Sequence, residues 1–479
     1  MNLRILWIMR SPVFVRNFEA VLRELARRGH AVHVAFEGDK EGQDDRQRGL
    51  IAELARAHPQ ITVGTAPLPS RVRSVYGSRL RGTADYLRYL EPRYAEAPAL
   101  RARARQYALW GLGGLEPLLR RSARARRALS RVARALPRVG PAPRRLSRYL
   151  RGQRADVLLV SPLTHFGSPQ PDYLRAARRL GLPSGLVLFS WDNLTNKGLM
   201  HERPDRVIVW NEQQAREAVE HHGVRPNRID VTGAATYDHW FRWQPSRDRD
   251  QFFSGLGLDP RRPCLLYLCS SGFIARDEPA WIAEWLDALR STPGPLREVN
   301  VIVRPHPLNA DGWDRDDPLG ARRGVRVFPA RGEDPTDEAA RQSYFDSIHH
   351  ATLVVGVNTT ALVESAIVGR RSYTVRTARF AATQDGTLHF HQLRERNGGP
   401  LRVADSMAEH LAQLAQGLAD GPDQRQPLRR FVRRFVRPLG LDVEVAPIVA
   451  DRIEALARTV TDAKRPACRV VPPPGSGGG

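Results

Sequence analysis

Cysteine and lysine are both scarce in this 479-residue chain, with cysteine only at Cys264, Cys269 and Cys468 and lysine only at Lys40, Lys197 and Lys464. An odd, scattered cysteine set provides neither a disulfide framework nor a zinc-ligand spacing, and it fits a reducing compartment, so the chain is expected to be cytoplasmic. Long apolar runs are missing as well. None approaches the roughly eighteen uninterrupted residues of a membrane-spanning helix, so any contact with a bilayer is expected to be peripheral, on the inner membrane face. The apolar opening from Met1 to Met9 is interrupted by Arg4 and followed closely by Arg10 and Arg16, with no small-residue cleavage site. It reads as a buried first strand and not as a secretory signal. A Walker A lysine loop, HExxH, GxSxG, paired CxxC and the GxGxxG fingerprint are all absent, which leaves the chemistries they serve without motif support. Asp248-Arg249-Asp250 and Asp314-Arg315-Asp316 match a metal-binding DxD pattern only in letters and sit in charged stretches; no metal or other cofactor is expected.

What the chain has in excess is arginine. Its 74 basic residues outnumber 51 acidic ones, for a net charge of +23. The excess is concentrated: positions 101–154 hold sixteen arginines against one acid, Glu116, a local charge of about +15. Trp110, Leu118, Leu119 and Tyr149 are interleaved there, a pattern suited to resting on anionic lipid, although a solvated helical surface accounts for it equally well. An isoelectric point near 11.0 is also the footprint of nucleic-acid-binding proteins. No nucleic-acid motif accompanies it, and no nucleic-acid partner is expected.

With 42% hydrophobic and 26% charged residues the chain is of ordinary globular composition, and its length predicts two large domains. Leu3 to Met9, Phe18 to Arg28 and Ala31 to Phe36 read as strand, helix and strand, the crossover unit of a parallel sheet. From about 71 to 151 the pattern turns helical, an arginine-rich insertion broken by Pro137, Pro141 and Pro143. Strand and helix alternate again from Asp156 to Thr232, and a second series of strands begins at Cys264. The predicted organisation is an N-terminal Rossmann-like unit over 1–240, a linker over 241–262 with its hinge near Tyr237 to Pro245, a second Rossmann-like unit with terminal helices over 263–463, and a disordered tail over 464–479 rich in proline and glycine. Two such units, both doubly wound α/β, would face a cleft at the carboxyl ends of their strands.

Candidate chemistry falls at those strand ends. Val303-Arg304-Pro305-His306-Pro307 empties a strand into two side chains suited to phosphate, Arg304 and His306. Asn358-Thr359-Thr360 lies between a strand and a helix whose first amides can bind an anion, with Glu364 one turn further on to meet ribose hydroxyls; helix capping by Asn358 or Thr359, and an ordinary first-turn Glu364, are the plainer readings. Ser270-Ser271-Gly272 is a small-residue turn that lets backbone amides approach a diphosphate, or a plain turn. In the first unit, Ser190-Trp191-Asp192-Asn193 leads to Lys197; Asp192 is a candidate base for an acceptor hydroxyl, or the start of an Asx-turn. Ser11, Arg16, Asn193 and Lys197 complete the acceptor side.

At these residues the chain resembles the GT-B glycosyltransferase superfamily, in the bacterial branch shared with CDP-glycerol glycerophosphotransferases and UDP-N-acetylglucosamine 2-epimerases. Arg304-Pro305-His306-Pro307 looks like the phosphate-binding element of the glycerophosphotransferases, and Asn358-Thr359-Thr360 with Glu364 and Gly369 looks like the donor-binding turn of sugar-nucleotide enzymes. Trp191-Asp192-Asn193, with Lys197 and Gly198, is similar to a glycerophosphotransferase Trp-His-Gly sequence, with Asp192 in place of the catalytic histidine. The opening Gly-Thr-Arg-Pro-Glu element of the epimerases is replaced by Met9-Arg10-Ser11-Pro12-Val13-Phe14, which ranks epimerisation third. The expected activity is that of a metal-independent glycosyltransferase moving a sugar from a nucleotide-diphosphate donor to a saccharide or lipid-linked acceptor in cell-surface polysaccharide assembly, with His306 as a catalytic group and with Asp192, the departure from the family's histidine, as a carboxylate base for a sugar hydroxyl. The alternatives are a CDP-glycerol-type polyol-phosphate transferase and a non-enzymatic basic binding protein.

Overall fold

The computed structural model describes residues 2–37, 45–139, 143–307, 309, 313, 319–330, 332, 335, 337–420 and 425–464. The expected tail from 465 on, Cys468, Lys40 and the Asp314-Arg315-Asp316 triplet lie outside them. Strand β1 (Arg4–Met9) is followed by helix α1 (Glu19–Arg27), which ends where Gly29 takes φ +82°, a conformation that favours glycine. Then come β2 (Ala31–Glu37), α2 (Asp45–Ala57) and β3 (Ile61–Ala66). The insertion folds as α3 (Arg71–Arg88), α4 (Pro98–Arg105), α5 (Glu116–Arg121), α6 (Ala123–Ala135) and α7 (Arg144–Gln153). The unit closes with β4 (Val157–Ser161), α8 (Gln170–Leu180), β5 (Ser184–Val187), β6 (Arg206–Val209), α9 (Glu212–His222) and β7 (Ile229–Val231). All seven strands are parallel, in the order β3-β2-β1-β4-β5-β6-β7.

The second unit opens with α10 (Arg249–Gly255) and β8 (Cys264–Leu268), then α11 (Glu278–Ser291), β9 (Asn300–Arg304), β10 (Val325–Val327), α12 (Glu338–His350), β11 (Leu353–Gly356) and α13 (Ala361–Val368). It continues through β12 (Ser372–Val375), α14 (Phe390–Leu393), β13 (Leu401–Ala404), α15 (Met407–Ala419) and α16 (Arg425–Phe435), before α17 (Val445–Lys464). Its six strands are also parallel, in the order β10-β9-β8-β11-β12-β13. The expected pair of doubly wound sheets is what the chain builds.

The sequence pattern explains why the sheets are covered on both faces. In β1, Ile5, Trp7 and Met9 join one core with α1 and α17, while Leu6 and Ile8 join another with α7 and α8. A strand buried on both sides reads as an unbroken apolar run, not as an alternating one. The same holds for β8, whose Cys264, Leu266 and Leu268 face α12, α13 and α16 and whose Leu265 and Tyr267 face α11.

Two parts of the expected domain division fall elsewhere. Helix α17, assigned from sequence to the second unit, packs on the first sheet through Val445, Val449, Ile453 and Leu456. Arg28 of the first unit donates to its Asp451 and Glu454 at 2.6 and 2.9 Å. The stretch read as linker contains α10, whose Phe252 and Phe253 are buried in the second unit's core. Beneath the insertion, buried Arg88 donates to the Leu194 carbonyl at 2.8 Å and Tyr89 to the Lys197 carbonyl at 2.8 Å. Asp85 accepts from the Leu199 amide and from His201. A Cβ on Gly198 would stand 2.7 Å from Asp85, so only glycine lets this loop lie so close.

Candidate active site

The carboxyl ends of the two sheets face each other across a cleft of about 1210 Å³. That exceeds the roughly 300–1,000 Å³ of a typical single-ligand pocket and leaves room for two substrates. Its second-unit wall is built from Ser271 and Gly272 after β8, Arg304 to Pro307 after β9, and Asn358 to Ala361 with Glu364 after β11. Its first-unit wall comes from Phe14, Arg16, Trp191, Asp192, Asn196 and Lys197, with Leu100 and Arg103 of the insertion at one side.

Arg304 is buried at the end of β9, donates to Ser347 Oγ at 2.9 Å and stacks over Tyr344 with 4.9 Å to the ring centre. A guanidinium fixed by aromatic stacking is pre-organised for phosphate. The Thr360 side chain makes no capping hydrogen bond at the N-terminus of α13, which opens on the cleft through Thr359, Thr360 and Ala361. The Asn358 side chain is turned away from that helix and donates to the Thr383 carbonyl at 2.8 Å. Burial pushes Glu364 up to about 7, against a weaker opposing pull from the Tyr344 hydroxyl that donates to it and from Arg16. Near neutrality it therefore exists as both acid and carboxylate.

Asp192 behaves in the opposite way. Burial alone would raise it, but Lys197, whose Nζ lies 3.2 Å away, together with His389 and the Ser190 hydroxyl, holds it down at about 2. His389 is kept neutral by burial, at about 4. It meets Trp191 edge-to-face with ring centres 4.5 Å apart and accepts from the Asn196 amide. The Trp191 indole donates to Thr360 Oγ1 at 3.2 Å. These contacts join the Trp191–Lys197 loop of one unit directly to the turn before α13 of the other. On the far side of the cleft Arg341 donates to Glu19 at 2.9 Å.

Three residues singled out in the sequence do not line the cleft. Ser270 is fully buried, its amide donating to Glu278 at 2.7 Å while its hydroxyl accepts from the Asn358 amide at 3.3 Å, so it shapes the two turns from behind. Asn193 Oδ1 accepts from the amides of Phe189 and Ser190 at 3.2 and 3.1 Å and closes the loop that presents Asp192. The Ser11 carbonyl accepts from the Phe14 amide at 3.2 Å in the turn before α1. His306 and Arg16 do line the cleft. No sequence motif marks His389, Tyr344, Arg341 or Arg103, which also line the cleft. His389 follows no strand and belongs to no motif, and its only trace was a local cluster with His391.

No family model matches the chain and no curated protein matches it. Among solved structures it is similar to the UDP-GlcNAc 2-epimerase from Methanocaldococcus jannaschii, with 11% identity, 94% of this chain and 99% of that one covered, and a TM-score of 0.53. It is also similar to the UDP-GlcNAc 2-epimerase from Neisseria meningitidis, solved bound to UDP-GlcNAc, with 9% identity, 94% and 100% covered, and a TM-score of 0.53. A putative UDP-N-acetylglucosamine 2-epimerase from Listeria monocytogenes gives 12% identity, 97% and 99% covered, and a TM-score of 0.53. A likeness that runs over nearly the whole of both chains at such low identity establishes architecture: the protein has the GT-B fold, two Rossmann-like sheets facing a cleft.

Proposed function

We propose that this protein is a nucleotide-sugar enzyme, and specifically a metal-independent glycosyltransferase that moves a sugar from a nucleotide diphosphate to an acceptor hydroxyl. The observation that carries this reading is the convergence of Arg304, His306, the uncapped start of α13 and Glu364 on one wall of a cleft with room for two substrates. Arg304, His306 and the helix-start amides balance the departing diphosphate, and Glu364 takes the ribose hydroxyls. Asp192, on the opposite wall, receives the acceptor proton. Apposition of the two units excludes water, so that transfer outruns hydrolysis. The acceptor is a saccharide or lipid-linked saccharide of cell-surface polysaccharide assembly, met at the inner face of the membrane by the arginine-rich insertion.

A thermal-shift screen of the full chain against UDP, CDP, GDP and their sugar or glycerol conjugates tests the donor site, because a ligand specific to the folded state raises its apparent stability. One nucleotide class is expected to stabilise the protein, and Arg304→Ala to abolish the shift; a folded protein that responds to none of them overturns the reading. Rearrangement of the sugar on its own nucleotide is a second reading, supported by the fold shared with the UDP-GlcNAc 2-epimerases. It needs no acceptor, so turnover of donor alone to an isomeric nucleotide sugar would select it.

A further inference from the structure

Behind the first-unit wall, three cations from three separate segments lie about His165 and Phe166. Arg10 stands at the end of β1, donates to Nδ1 of His165 and reaches the Phe166 carbonyl at 3.5 Å. Arg103, from α4 of the insertion, lies between two rings, 5.9 Å from the centre of Phe166 and 4.9 Å from that of Phe273. Lys197 arrives from the acceptor loop and pairs with Asp192. Arg103 and Lys197 line the cleft. Among the described residues neither Arg10 nor Arg103 forms a salt bridge, so Asp192 is the single carboxylate paired within the group. His165 reports the resulting field: it is held neutral at about 3, first by burial and then by Arg10, with Lys197 and Arg103 adding to the effect. Three like charges gathered in a partly buried place repel one another, and a multiply charged anion relieves that repulsion as it binds.

We infer that Arg10, Arg103 and Lys197 form a second anion site, separate from the Arg304 wall, that holds a phosphate group carried by the acceptor. Binding of the anion stands on this cluster alone; its assignment to an acceptor rests on the glycosyltransferase reading. Arg103 supplies the fork that matches phosphate oxygens, and Phe166 and Phe273 hold its plane in place. The phosphate belongs either to a lipid or to a sugar, and the chemistry seen by the arginines is the same.

Calorimetric titration of the full chain separates these cases, using dihexanoyl phosphatidic acid as the lipid phosphate, glucose 6-phosphate as the sugar phosphate and glucose as the uncharged control. Each is titrated with and without the nucleotide that gives the largest thermal shift. One phosphate probe is expected to bind while the nucleotide is bound, and glucose is not. Arg103→Gln is expected to weaken the probe by about tenfold or more with nucleotide affinity unchanged within about twofold, and Arg103→Lys to retain part of the binding. Two results overturn the site: neither phosphate binds, or Arg103→Gln weakens the nucleotide and not the probe, which would move Arg103 into the donor site. A probe that binds and is lost in Arg103→Gln while no nucleotide binds at all would leave the anion site standing and remove the donor reading.

Discussion

Two carboxylates face the same cleft in opposite protonation regimes, Asp192 held at about 2 chiefly by Lys197 against its burial and Glu364 raised to about 7 by burial. In the proposed mechanism Asp192 is a weak base that stays ionised, so turnover is expected to show no acidic limb from this residue between about pH 4 and 6. Asp192→Asn is expected to lower the rate about 10²- to 10⁴-fold with nucleotide affinity preserved; undiminished steady-state turnover with the true substrates would dismiss it as the base. The ionisable groups also set a stability optimum. Burial raises Glu278 to about 8 and Glu217 to about 7 from an ordinary 4.5, so the folded state holds these protons more tightly than the unfolded one and loses stability as pH rises through that window. His239 and His389, lowered by burial to about 4, act oppositely: the unfolded chain takes up protons below about 6.5, and stability falls as pH drops. Above about pH 6.5 the glutamates alone remain of these, and Glu278→Gln is expected to flatten the decline in melting temperature between about pH 6.5 and 8.5.

At the scale of elements, the insertion is fastened inward and bare outward. Its inner side is tied to the loop at Leu194 to Leu199 by Arg88, Tyr89 and Asp85, while Trp110 is 80% exposed and Leu115 and Leu118 are 50% and 57% exposed. Along α6, Arg124, Arg127, Arg131 and Val132 lie at helical spacing on an exposed face. Among the described residues no helix is long and apolar enough to cross a membrane. Sedimentation with anionic vesicles is expected to carry the protein down at low salt, and Trp110→Ala combined with Leu118→Ser to reduce the bound fraction several-fold; equal binding to neutral vesicles would contradict an electrostatic contact. Elements with a strong period were legible from sequence. Strands β1, β4, β8, β9 and β11 are buried on both faces and announce themselves as apolar runs. Strand β3 was passed over because only Ile61 and Ala66 of its six residues are buried, and an exposed edge carries no run. The donor turns could be read because they directly follow such strands. His389, Tyr344 and Arg341 could not, since their place in the cleft depends on how the two units meet, which no local pattern encodes.

At the scale of the whole molecule, the units are held together over the cleft by the Glu19–Arg341 pair and by Trp191 on Thr360. A partly buried pair of this kind contributes about 1 kcal/mol, roughly a fivefold bias towards the closed arrangement. Arg341→Met is therefore expected to enlarge the radius of gyration in small-angle scattering of the unliganded protein, and saturating nucleotide to restore it; an unchanged radius would show that the pair does not govern closure. The chain passes between the units twice, once near 241–248 and again near 436–444, and the two passages are joined. The Ala234 amide donates to the Val436 carbonyl at 2.9 Å, and buried Asp238 receives Arg437 at 2.7 Å together with the amides of Val445 and Ala446. Two cords stitched side by side make a strap that folds readily about one line but resists being stretched or wrung. Such a strap is expected to confine any travel of the halves to opening and shutting like a book, with each shutting returning the indole of Trp191 to the same threonine.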